Sequence, residues 1–109
     1  MNKKYLQSLE NAAFIENNGK VARLLNILNH DYHKLSEMQR VLKAQGVDEA
    51  GLIESVNFLA RAGYIELRDI SSKVNANLAD WQYYELEAIL SDKGLRLLKG
   101  GIKDDLVEV

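Results

Sequence analysis

The chain has 109 residues, no cysteine, no proline, and 14 Lys and Arg against 16 Asp and Glu, for a formal charge of -2. That length gives one domain with a single modest core, and 47% hydrophobic with 28% charged residues excludes intrinsic disorder. Without cysteine there is no disulfide framework, thiolate metal site or cysteine nucleophile. The absence of proline, where about five would be usual at this length, favours long uninterrupted elements.

The longest uncharged run, Leu24–His30, is far short of the roughly 18 apolar residues of a membrane span. Met1 to Lys4 lead into no apolar stretch resembling a signal peptide, so a cytoplasmic location and no membrane partner are expected.

Leu6, Leu9 and Ala13, with Tyr5 on the flank, predict an amphipathic helix over about 2–15. Asn17-Asn18-Gly19 reads as its end. A second helix over about 20–29 carries Val21, Leu24, Leu25 and Leu28 at core spacing, and His30-Asp31-Tyr32-His33 reads as a turn. Ser36-Glu37-Met38-Gln39 matches a capping box. The helix that it opens runs to Gln45 and buries Met38, Val41 and Leu42, with Gly46 and Val47 closing it in a Schellman motif. Asp48 caps a helix over 49–62 that buries Leu52, Val56, Leu59 and Ala60 and stops at Gly63, with Tyr64 closing on Leu59.

The period then changes. Residues 64–70 place Ile65 and Leu67 on one face and Glu66 and Arg68 on the other, a half-buried strand. Residues 83–90 repeat the alternation, with Tyr84, Leu86, Ala88 and Leu90 inward and Glu85 and Glu87 outward, so antiparallel pairing brings Arg68 opposite or diagonal to those glutamates. The connection, 71–82, is longer than an ordinary hairpin loop. Ser91 caps a last helix over 92–99, in which Gly94 allows close backbone packing, and residues 100–109 read as a frayed tail.

Three pieces of this order carry a resemblance: Leu35-Ser36-Glu37-Met38 opening one helix, Val56-x-x-Leu59-x-x-x-Gly63-Tyr64-Ile65 closing the next into a strand, and Ala88-x-Leu90-Ser91-Asp92-Lys93-Gly94-Leu95 opening the last. Together they resemble small bacterial and prophage regulators of the ArsR-like and MarR-like winged helix-turn-helix type, over about 20–99. The resemblance implies a mainly α fold with a small β-hairpin (α+β), in which four helices precede a strand, wing, strand and final helix. It implies a transcriptional regulator that binds duplex DNA as a homodimer, or else a protein-interaction module of the same fold.

Charge is unevenly spread: residues 19–47 sum to +3, 48–63 to -2 and 64–90 to -3. Lys20, Arg23, Lys34, Arg40 and Lys43 are therefore candidate phosphate contacts, joined by Ser36 and Gln39. Opposite the core stripe of the recognition helix lie Ala50, Glu54, Asn57 and Arg61. There Asn57 suits adenine, Arg61 guanine or phosphate, and Glu54 a cytosine amino group. Lys73 is the sole cation of the wing. Asp48, Glu49 and Glu54 oppose DNA binding, and Trp81 either packs the wing or anchors a partner. Surplus apolar residues (Ile27, Ile53, Phe58) point to a partner, with dimerisation expected through Leu6 and Leu9 of the first helix and Leu97 and Leu98 of the last. His30, Asp31 and His33 are too few for a metal site, and no phosphate loop or nucleophile motif occurs, so neither cofactor nor enzymatic activity is expected.

Overall fold

The computed structural model describes residues 2–28 and 31–109. Its elements run α1 (Lys3–Ile27), β1 (His33–Lys34), α2 (Leu35–Lys43), α3 (Glu49–Arg61), β2 (Ile65–Asp69), a single 3-10 turn (Tyr83–Glu85), β3 (Leu86–Leu90) and α4 (Asp92–Leu98). The fold is α+β: among the described residues, four α-helices pack with a three-stranded antiparallel sheet of order β1-β3-β2. Val21, Leu25, Leu35, Met38, Leu52, Val56, Leu59, Leu86 and Leu97 form the centre of one core.

The two expected N-terminal helices are one. Asn2 caps the start, its side chain accepting from the Lys4 amide, and the helix passes through Asn17-Asn18-Gly19 without a break. What changes there is the phase of the apolar pattern. At 3.6 residues per turn, Tyr5, Leu6, Leu9 and Ala13 point about 150° away from the side that carries Val21, Ala22 and Leu25. The later set is buried, and the earlier set is exposed. Asn29, where the second helix was expected to end, and His30 lie outside the described residues.

The reason for Asn18-Gly19 lies at the other end of the chain. Residues 102–109, expected to fray, return to α1. The Glu108 amide donates to the Ile15 carbonyl at 3.2 Å, and Asn18 Nδ2 donates to the Leu106 carbonyl at 2.8 Å. Arg23 donates to the Glu108 carbonyl. Tyr64 Oη donates to Asp104 Oδ2 at 2.6 Å, and Val107 is 4% exposed. Any Cβ on Gly19 would collide with the Glu108 carbonyl oxygen. Gly19 is therefore the notch in which the tail lies.

The capping box at Ser36 does not form. The helix starts two residues earlier, at Leu35, with Lys34 in place of Ser36 in the cap position and no side-chain cap, because Lys34 is still extended as part of β1. Gln39 instead donates from Nε2 to the Val47 carbonyl at 3.2 Å. Both helix stops hold: the Val47 amide bonds the Leu42 carbonyl and the Tyr64 amide the Leu59 carbonyl. Gly63, at φ +83°, takes the left-handed conformation this closure needs. Asp48 caps α3 by accepting from the Gly51 amide at 2.7 Å.

In the sheet, β2 pairs with β3 with Arg68 opposite Glu87 and Leu67 opposite Ala88. The turn expected at 30–33 yields part of a third strand: His33 pairs with Ala88 and Lys34 with Glu87, which makes β3 central. That position explains Glu87, expected to face solvent and found 5% exposed. Tyr84, expected inward, is 59% exposed, because the 3-10 turn over Tyr83–Glu85 interrupts the alternation and turns Tyr83 toward the core.

Ser91 caps α4 by accepting from the Gly94 amide at 3.0 Å and donates to the Gly63 carbonyl at 2.6 Å. Gly94 presses its backbone against the Tyr64 carbonyl, where a Cβ would collide. Leu97 is wholly buried in this core, and Leu98 packs against its edge. Leu97 is therefore removed from the expected dimer face, since α4 turns that residue into the core. Leu6 and Leu9 remain exposed. None of the described helices is long and apolar enough to cross a membrane.

Candidate nucleic-acid interface

The outward face of α3 carries Ala50, Glu54, Asn57 and Arg61, all exposed. Their 4, 3, 4 spacing aligns them in one row along the helix, because the opposite row, Leu52, Val56 and Leu59, is pinned in the core. Grooves flank the row on both sides. One, of about 450 Å³, is walled by Phe14, Phe58 and Ala62. The Phe14 and Phe58 rings meet edge to face at 5.3 Å there. The other, of about 430 Å³, is walled by Ile53, Leu78 and Ala79. Asn57 and Arg61 border both.

On α2, Ser36, Arg40 and Lys43 fall at i, i+4 and i+7 and share one face. Arg40 and Lys43 are exposed and Ser36 is half-buried. Gln39 does not join them. Its amide nitrogen is held by Val47 and its Oε1 is buried without a partner, so it braces the α2–α3 turn. Of the other cations, Lys20 reaches Glu16 at 2.9 Å and the Gln45 carbonyl at 2.7 Å, and Arg23 holds the tail. Lys34 is exposed at the sheet edge.

The loop between β2 and β3 folds back on itself first. Asn75 forms a bridge to Arg68, and the Asp69 amide donates to the Val74 carbonyl. Asp69 accepts from the Ser72 hydroxyl and amide, and these bonds hold its carboxyl below the ordinary range. Trp81 and Leu78 pack on the core's edge, which is the packing role for Trp81.

Lys73, at φ +62°, bends back so that its Nζ lies 2.8 Å from Glu87 Oε1, the atom that Arg68 Nε also reaches, at 2.7 Å. Lys73 is thus a paired cation, not the free one expected at the wing tip. Burial pushes the Glu87 carboxyl up, but the hydrogen bonds from Lys73 and Arg68 outweigh it and hold the carboxyl below its usual value. Two cations thus share one carboxylate at the base of the loop. Tyr32 extends the cluster, with the Arg68 guanidinium 3.6 Å from its ring centroid. Nothing in the sequence pattern linked Tyr32 to Arg68, because the contact depends on the unexpected strand β1.

Among the described residues, no group of three or more His, Asp or Glu is placed to hold a metal ion. His33 Nε2 lies 2.7 Å from the Leu28 carbonyl, and His30 lies outside the described residues. No family model, curated protein or solved structure matches the chain.

Proposed function

We propose that the chain is a winged helix-turn-helix protein that binds duplex DNA and acts in the cytoplasm as a small transcriptional regulator. In this reading α2 and α3 are the helix-turn-helix, and the loop between β2 and β3 is the wing. The observation that carries it is the exposed row Asn57 and Arg61 on a helix otherwise anchored in the core, with the wing loop alongside and Ser36, Arg40 and Lys43 on the preceding helix. An element order of helix, strand, helix, helix and two strands, with sheet order β1-β3-β2, supports the same reading.

Each side chain then has a distinct task. Arg61 presents a planar fork suited to guanine O6 and N7, and Asn57 a donor and acceptor pair suited to adenine. Arg40 and Lys43 meet phosphates and set position without reading sequence. Glu54 opposes the backbone's charge and tolerates only a base edge that can donate to it.

Fluorescence anisotropy with a labelled mixed-sequence duplex tests the proposal. Affinity should fall steeply with salt, and Arg40→Ala or Lys43→Ala should each lower the slope of log K against log salt by about 1, on every sequence alike. Asn57→Ala should instead alter preference among sequences.

A second reading, a protein-binding winged helix without DNA affinity, is favoured by the apolar walls beside α3: Phe14, Phe58 and Ala62 on one side, and Ile53, Leu78 and Ala79 on the other. Such walls suit a partner's apolar side chains better than a phosphate backbone. The duplex titration separates the two readings.

A further inference from the structure

The groove of α1 that receives the tail holds it mainly by its backbone. Asn18 Nδ2 donates to the Leu106 carbonyl, the Ile15 carbonyl accepts from the Glu108 amide, and Arg23 donates to the Glu108 carbonyl. Backbone groups of this kind are offered by any sequence. Side chains are read at two points only: the pocket that encloses Val107, 4% exposed, and the Tyr64 hydroxyl that meets Asp104. Gly19 leaves open the space through which the chain passes.

The tail fills this groove incompletely. Asn18 is wholly buried, yet among the described residues its Oδ1 accepts nothing. In an extended strand the N–H and C=O of one residue point the same way, so a single side-chain amide can engage both. Asn18 engages only the carbonyl of Leu106, because the Leu106 amide is turned onto Asp104 Oδ1 at 2.9 Å. The Val107 amide, at 3.1 Å from the Asp104 carbonyl, closes the same tight turn. That turn takes up the donor that Asn18 lacks. A buried acceptor left open is costly, and here it marks a groove better suited to a straighter chain. The tail is also lightly held, since of residues 103–109 only Val107 is buried.

We propose that this groove is a docking site for an extended acidic segment of another protein, and that the chain's own tail occupies it as a weaker stand-in. The partner segment gives one residue's N–H and C=O to Asn18 and a small branched side chain to the pocket of Val107. Charge selects an acidic occupant. Arg23 lies along the groove, and the resident tail carries Asp104, Asp105 and Glu108 against the single cation Lys103. The tethered tail competes at high local concentration, so it sets the partner concentration at which docking begins. The groove uses none of the residues to which the proposed function gives a task, and the proposal stands independently of DNA binding.

Fluorescence anisotropy with two labelled heptapeptides tests this on the full chain. One has the sequence of residues 103–109, and the other is the same peptide with Asp104→Glu, which keeps the carboxylate but is too long to close the turn. Val107→Asp loosens the resident tail, Val107→Ala is a milder form of the same change, and circular dichroism reports that each chain is folded. Both peptides should bind the loosened chains about tenfold more tightly than the wild type. The glutamate peptide should bind about fivefold more tightly than the other, because its free amide reaches Asn18 Oδ1. Adding Asn18→Ala to a loosened chain should remove that advantage, and adding Gly19→Ala, which fills the notch, should abolish binding of both peptides. Failure of both peptides to bind a loosened chain, a glutamate peptide no better than its parent, an advantage that survives Asn18→Ala, or binding that survives Gly19→Ala would each overturn the proposal. A wild-type dimer in sedimentation that Val107→Asp abolishes would make a second copy's tail the occupant, and would overturn it as well.

Discussion

Gly19 has opposite effects depending on what lies beside it. In a helix interior glycine costs about 1 kcal/mol relative to alanine, so replacement ordinarily stabilises. Here the Glu108 carbonyl occupies the space of the missing Cβ. Gly19→Ala in the full chain should therefore destabilise by about 1–3 kcal/mol, as overpacking does. In a chain ending at Ile102 the same change should stabilise by about 0.5–1 kcal/mol. Urea unfolding of the four proteins checks the reversal, and the same sign in both backgrounds would exclude a docked tail.

Tyr64 joins the same tail by a different chemistry. Burial, the hydrogen bond to Asp104 and that carboxylate's charge push its phenol from 10.0 up to about 12. The folded state thus keeps a proton that the unfolded state releases, so the Tyr64 contribution is intact below pH 10 and is lost as pH rises toward about 12. In a tyrosinate absorbance titration, one of the five tyrosines should ionise late, and Tyr64→Phe should remove that late step. If all five ionise together, the hydroxyl is not tied to Asp104.

Glu87 is the acid counterpart. Its lowered carboxyl stabilises the fold above the unfolded value of 4.5, and the contribution is lost as pH falls through the depressed folded value. Lys73→Met removes one of its two partners, and this should raise the Glu87 titration and cost about 1 kcal/mol at neutral pH. Carboxylate NMR titration reads the first effect and urea unfolding the second. An unchanged Glu87 titration would mean that Lys73 stands free in the loop after all.

At the scale of elements, the legible parts were those governed by neighbours in sequence. The caps at Asp48 and Ser91, the stops at Gly46 and Gly63, and the pairing of Arg68 with Glu87 all follow from local chemistry and period. What the pattern misplaced depends on distant chain. Asn18-Gly19 has the composition of a helix end, but its polar amide and missing side chain serve a segment some 88 positions away. Ser36 lost its cap because β1 holds Lys34 extended, and a two-residue strand leaves no period to detect. Leu97 was expected on a dimer face, but α4 packs that residue wholly into the core. As for the candidate interface, the positions of Asn57, Arg61, Arg40 and Lys43 on helix surfaces were readable from spacing. The engagement of Gln39 with Val47 and of Lys73 with Glu87 was not, since both bonds span turns whose geometry the sequence leaves open.

At the scale of the whole molecule, α1 has two duties along one axis. Its second half closes the core with α3 and receives the tail, and its first half projects with its apolar row turned outward. Under the proposed DNA-binding reading, a two-fold assembly of such bodies would match a palindromic duplex with symmetric half-sites. Such an assembly would also compensate for the three carboxylates Asp48, Glu49 and Glu54 in the cap and first half of α3, by doubling weak contacts on one duplex.

The central claim, that the α3 row and the α2 cations meet duplex DNA, is tested most directly by anisotropy with a labelled duplex over a salt series, comparing the wild type with an Arg40→Ala, Lys43→Ala double variant. The account predicts binding at low salt that weakens steeply as salt rises, with the double variant's slope lower by about 2. No binding to any duplex at low salt, or binding that the double variant leaves unchanged, would contradict it.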